Sequence, residues 1–280
     1  MSSRRIDRVL EVLEAGELGG IDSLAENRVE FYADPEQSEE TRVGWSILAG
    51  KIVEAWRRES FMAAIIYGKQ GAGKSVYSIK VGFDALRRLG FLPPSATTRH
   101  VFKNYMIFSP MQLIHKARMA KGSRIPVLIW DDAGVHGGSY LHFTDIHLAK
   151  AIADTFRVIR TRVSALLFTT PSPRDLLKPL RSYDTIIVYV HEVDDVWSRA
   201  HIYQLRLLPS GEARIHKVAQ EDFKRKLRTY PDYIKIRDKY VDYALQALEQ
   251  LLEEKMLERV EKRRRLLEKM AARKVGGESV

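Results

Sequence analysis

The stretch from Phe61 to Leu89 constrains the fold of this chain more than any other. Phe61-Met62-Ala63-Ala64-Ile65-Ile66-Tyr67 is a continuous apolar run that stops at Gly68. A short run without polar alternation suits a strand buried on both faces, as in a parallel sheet. The next eight residues, Gly68-Lys69-Gln70-Gly71-Ala72-Gly73-Lys74-Ser75, fit the pattern G-x-x-x-x-G-K-[ST] in full. Ser75 to Leu89 then reads as a helix, closed by Gly90 and the pair Pro93-Pro94. Strand, glycine-rich loop and helix in that order predict a backbone wrapped around an anion. Gly68, Gly71 and Gly73 let the loop close without Cβ clashes, and the helix adds its positive N-terminal end. The predicted contact set is Gly68, Lys69, Gln70, Gly71, Ala72, Gly73, Lys74, Ser75 and Val76.

The rest of the chain alternates in the same way. Val101 to Phe108 reads as a strand and Met111 to Ala120 as a helix. Val127-Leu128-Ile129-Trp130 is another buried strand, and it runs straight into Asp131-Asp132. A glycine- and aromatic-rich loop follows, with His136, Tyr140, His142 and Phe143, and then a helix over 146–160 that Asp145 caps. Ser164 to Thr170 and Thr185 to Val190 complete the buried strands. Strands alternating with helices over 61–190 specify a doubly wound parallel sheet. Beyond it, Arg199 to Leu208 and Glu212 to Val218 flank Pro209-Ser210-Gly211 as a β-hairpin, and one long helix fills Tyr240 to Lys274. Before it lie a helix over Arg4 to Ala15, an acidic arm over 21–40, and a helix over Thr41 to Ser60. The expected division is an acidic arm at 1–40, a central domain at 41–220 and a helical extension at 221–280.

Charge follows that division. Residues 1–40 hold 4 basic and 11 acidic side chains, and 221–280 hold 16 and 12, which leaves 26 and 13 on the central domain. An excess of 13 positive charges there predicts a polyanionic partner. The chain has no cysteine, so disulfides, zinc–thiolate sites and cysteine nucleophiles are excluded. No apolar stretch is long enough for a membrane span, and the charged start Met1-Ser2-Ser3-Arg4-Arg5 is no signal peptide. A cytoplasmic location is the expectation.

Gly68–Ser75, Leu128–Asp132 and Leu166–Thr170 together resemble a P-loop ATPase of the additional-strand division. The resemblance implies a three-layer α/β P-loop core with a mainly parallel sheet, bearing the N-terminal arm, the hairpin and the C-terminal helix as additions. It implies ATP and Mg²⁺ as cofactors, with Lys74 on the β- and γ-phosphates and Ser75 and Asp131 on the metal. Asp132 stands where such enzymes carry the base that polarises water, and Thr170, with Thr169 close behind, where they carry a γ-phosphate sensor. Arg160 and Arg181 are the best candidates for fingers acting on a neighbour's ATP in a homo-oligomeric ring.

Two branches compete. Leu167-Phe168-Thr169-Thr170 with Leu180-Arg181-Ser182 resembles the AAA+ sensor and finger region, yet Pro171 replaces the usual asparagine and a β-hairpin stands where a helical lid belongs. The HerA/FtsK group, with its Zot-like members, continues in extra strands as this chain does, but commonly has glutamine at the place of Thr170. Small size, acidic arm and basic core look like an ATPase of an archaeal virus or plasmid. The expected function is ATP hydrolysis coupled to moving, packaging or remodelling nucleic acid, DNA above all. A nucleotide-switched protein like the STAND group, which shares paired aspartates, is the alternative, and a small-molecule kinase a weaker one.

Overall fold

The computed structural model describes residues 28–31, 46–120, 122–136, 154, 156–176, 185–207 and 213–275. Among them eight strands form one sheet: β1 Arg28–Phe31, β2 Met62–Tyr67, β3 Met106–Ile107, β4 Leu128–Trp130, β5 Ala165–Thr170, β6 Ile186–Glu192, β7 Trp197–Leu207 and β8 Ala213–Lys224. Their order is β1-β8-β7-β6-β2-β5-β4-β3. All neighbours run parallel except β6–β7 and β7–β8. The helices are α1 Ile47–Arg57, α2 Lys74–Arg88, α3 Thr98–Asn104, α4 Pro110–Met119, the single turn α5 Ala133–His136, and α6 Tyr230–Val275. The mainly parallel α/β core expected from the sequence is present.

Strand alternation sorts the core into two faces. Leu128, Trp130, Leu166 and Phe168 pack on one side with Leu113 of α4 and with Phe156 and Ile159. Ile129 faces the other way, toward α2, where a Cβ on Gly82 would lie 3.1 Å from its Cδ1. Helix α1 packs beside α2. Its N-cap is Ser46, whose hydroxyl accepts from the Ala49 N–H at 3.1 Å. Its C-terminus is a Schellman turn, with Glu59 N–H on Trp56 O and Ser60 N–H on Ala55 O. Glu59 holds the left-handed position at φ 52°, where glycine is the usual occupant.

A fully buried carboxylate fixes the two helices to the antiparallel part of the sheet. Glu221 of β8 accepts from Ser46 Oγ, Tyr77 Oη and the Ile47 and Leu48 N–H groups. Burial raises its pKa, and the Tyr77 and Ser46 hydroxyls oppose that rise. Tyr77 lies in the first turn of α2, so this junction also sets where the glycine-rich loop sits.

Several expectations change. Val101 to Asn104 is helical, not extended, and only Met106–Ile107 of the predicted strand joins the sheet. Val101 and Phe102 are buried, so an apolar run that reads as a strand instead packs one side of a short helix beside α2. Within the stretch read as an acidic arm, Arg28–Phe31 forms the edge strand β1, parallel to β8. The helix read over Thr41 to Ser60 spans Ile47–Arg57. The hairpin is longer than its sequence signal, with β8 running on to Lys224; the first of two compact units ends at Tyr230. The second unit, Pro231–Val280, contains most of α6, with Val241, Leu245, Met256 and Val260 exposed. The predicted N-terminal helix, Tyr140, His142, Phe143, Asp145 and Arg181 lie outside the described residues. No helix among the described residues is long and apolar enough to cross a membrane.

Candidate active site

The carboxyl ends of β2, β4, β5 and β6 meet at one edge of the sheet, where β2 lies between β5 and β6. Connections leave on both sides of such a strand, and the crevice this opens is where parallel sheets bind ligands. The loop after β2 fills it. Gly68, Gly71 and Gly73 have φ values of 146°, 87° and 93°, a region L side chains rarely adopt. At Gly68 the requirement is also steric: a Cβ would lie 2.1 Å from the Val190 carbonyl oxygen of β6. Lys69 and Gln70 are exposed, whereas Ala72 and Val76 are buried against the sheet.

Lys74 opens α2, and its ammonium donates to the Gly68 and Lys69 carbonyls at 3.0 and 2.9 Å. Burial lowers its pKa, while the Asp132 and Asp131 carboxylates pull it back up. Beside it, Ser75 Oγ donates to Asp131 Oδ1 at 2.7 Å. Thr169 Oγ1 donates to the same oxygen at 2.6 Å and accepts from the Asp132 N–H at 2.9 Å. One carboxylate oxygen, almost wholly buried, thus holds two hydroxyls from different strands and loops. Asp132 follows at φ 48°, a left-handed conformation that is rare outside glycine. It breaks the strand alternation directly after Asp131, next to Thr169. Among the described residues there is no group of three or more His, Asp or Glu arranged for a metal.

The other expected residues are spread more widely. Thr170 lies on the opposite face of β5 from Thr169, because side chains alternate along a strand. Its hydroxyl donates to Ser172 O at 2.9 Å and Asp175 Oδ2 at 3.3 Å, so it braces the turn after β5. Arg160 precedes β5 and is therefore at the far edge of the sheet, its guanidinium over the Phe61 ring at 5.4 Å. The structure adds a pair that sequence reading did not find. Arg225, just past β8, pairs with Glu192 at 2.7 Å, and a Cβ on Gly73 would lie 3.2 Å from the Arg225 Cγ. No local motif marks it, since β8 reaches the loop only through the sheet.

The donor set suits a magnesium nucleotide. Three positive-φ glycines form the cradle, a lysine reaches its carbonyls, and a serine hydroxyl meets a buried aspartate, which are oxygen ligands of the kind Mg²⁺ takes.

No protein-family model matches the chain. Among solved structures it is similar to the N-terminal domain of zonular occludens toxin from Neisseria meningitidis, with 12% identity and TM-score 0.35 over 57% of this chain and 94% of that one. It is also similar to the flagellar accessory protein FlaH from Methanocaldococcus jannaschii, with 12% identity and TM-score 0.31 over 56% and 89%. Among curated sequences, ORF286 of Acidianus two-tailed virus is 24% identical over 226 residues, 75% of this chain and 72% of that protein. The uncharacterized protein B-251 of Sulfolobus spindle-shape virus 1 is 32% identical over 225 residues, 75% of this chain and 84% of that protein. This chain belongs to the family of protein B-251.

Proposed function

We propose that the protein is a Mg²⁺-dependent ATPase that couples hydrolysis to moving or remodelling nucleic acid as a homo-oligomer. The observation that carries the hydrolysis reading is the shared Asp131 oxygen, held by Ser75 from the glycine-rich loop and by Thr169 from β5. Ser75 and Asp131 would hold Mg²⁺, which neutralises charge on the β- and γ-phosphates. Lys74, released from the Gly68 and Lys69 carbonyls, binds the same phosphates. Asp132 accepts the proton of the attacking water, and the Thr169 hydroxyl on its backbone N–H fixes where that carboxylate sits. Arg160 or Arg181 of an adjacent copy supplies positive charge to the transferring phosphoryl group.

The nucleic-acid half rests on the excess of 13 positive charges over 41–220. The sheet supports the HerA/FtsK branch over AAA+, since β6 leads into the antiparallel pair β7 and β8 and not into a helical lid. The viral relatives are consistent with a mobile-element ATPase.

Phosphate release from ATP, measured with and without double-stranded DNA, tests both halves. Mg²⁺-dependent release that DNA accelerates is the expected result. No release at all overturns the ATPase, and release indifferent to DNA, with no salt-sensitive DNA binding, overturns the coupling.

A further inference from the structure

The amino edge of the sheet holds a second basic site, remote from the glycine-rich loop. Ser60 precedes β2, Arg124 precedes the bridge Ile125–Val163, and Val163 leads into β5. These segments and the end of α1 border an open cavity of about 740 Å³, lined by Trp56, Arg57, Glu59, Arg124, Thr161 and Arg162 among others. Its wall thus carries three guanidinium groups and one carboxylate.

Arg124 is the unusual member. Its Nη2 donates to the carbonyls of Ser60, Arg160 and Val163 at 2.9, 3.2 and 3.4 Å, which pins the guanidinium in place. Its Nε and Nη1 are buried and meet no acceptor among the described residues. A guanidinium cannot shed its proton to escape burial, and among the described residues no carboxylate forms an ion pair with it. Its charge is thus offset in part, by carbonyl dipoles, and the partly buried guanidinium still presents positive charge behind the cavity wall. The Arg162 guanidinium donates to the Ala120 carbonyl at 3.5 Å, its one hydrogen bond among the described residues, and Arg57 is exposed. Of the last carbonyls of α1, those of Glu54, Ala55 and Trp56 accept from the Arg58, Ser60 and Glu59 N–H groups, which reduces the repulsion an anion would meet there.

We propose that this cavity binds a phosphate group, with Arg57 and Arg162 as direct ligands and Arg124 as the fixed charge behind them. Planar guanidinium groups match phosphate oxygens two at a time, which makes three of them in one wall specific for this chemistry. The phosphate belongs either to a nucleic-acid backbone or to a free phosphate or phosphomonoester. The proposal is independent of the nucleotide reading and stands or falls separately.

The test uses the full chain carrying Lys74→Ala, so that neither the glycine-rich loop nor a neighbour's nucleotide contributes. Inorganic phosphate should raise its Tm, and a labelled single-stranded oligonucleotide should bind with an affinity that falls as salt rises. Adding Arg57→Glu and Arg162→Glu should weaken either ligand at least about tenfold and flatten the salt slope by about one per lost contact. Arg58→Glu, next in sequence but outside the cavity lining, should change little and controls for a charge reversal close to the site. Oligonucleotide binding that phosphate competes away identifies the backbone as the source. Phosphate binding without oligonucleotide binding identifies the free anion. The double variant binding both ligands as its parent does, or an effect equal to that of Arg58→Glu, overturns the proposal.

Discussion

At the carboxyl ends of β2, β4 and β5, Lys74, Ser75, Asp131 and Thr169 bond to one another or to the loop beside them. At the amino ends of the same strands, Arg124 is held by three carbonyls and still has buried N–H groups without acceptors among the described residues. The first edge is a closed arrangement: each hydroxyl has its oxygen, and two carboxylates stand near one ammonium. The second is an open one, with positive charge in excess of its partners. A closed site is organised for chemistry on a ligand it must hold in one geometry. An open one draws in charge whose exact placement matters less.

The largest effect expected is at Lys74. Lys74→Ala should lower ATP turnover on the order of 10³-fold and weaken nucleotide binding with it, as removal of a phosphate-directed charge does. Steady-state phosphate release with equilibrium nucleotide binding reads both, and tight binding by the variant would remove the loop from the site. Next comes Asp132→Asn, which keeps size and removes the proton acceptor. Turnover should fall about 100-fold or more at unchanged ATP affinity. An unchanged rate would reduce Asp132 to the end of a strand.

The two threonines give the sharpest comparison within one edge. Thr169→Val removes a hydroxyl bonded to a buried carboxylate and should cost turnover about tenfold or more. Thr170→Val removes a brace of the following turn and should cost about 1 kcal/mol of stability with little change in rate. Rates and urea midpoints of the pair decide it, and equal kinetic effects would erase the distinction. The smallest effect lies at the other edge. Glu59→Gly relieves the left-handed conformation at the end of α1 and should add about 0.5–1 kcal/mol without altering hydrolysis. A loss of stability there would mean that the Glu59 side chain has a structural task.

How much of this was legible in the chain depends on how local each signal is. The glycine-rich loop is written in eight consecutive residues, and its flanking strand and helix are continuous with it. Asp131 is legible because a buried strand ends on it. Thr169 and Thr170 are not separable by sequence, since the face each takes depends on how β5 is set between β2 and β4. Val101 to Phe108 misleads because a short apolar run has no period to distinguish one packed side of a helix from a strand. The four residues of β1 sit in an acidic stretch too short to signal a strand. Arg57, Arg124 and Arg162 come from three distant segments, so no spacing in the sequence brings them together.

The position of β1 has a consequence for how the chain assembles. Arg28 pairs with Gln220 and Phe31 with Phe223, so the first strand of the described residues needs the last one before it can join the sheet. Loop-closure cost grows only slowly with length, but pairing between residues so far apart in sequence slows the step that depends on it. During translation the amino-terminal segment must wait while β2 to β7 are made. The exposed edge of β8 is then covered last, and the moment of greatest vulnerability to wrong strand pairing comes just before folding ends.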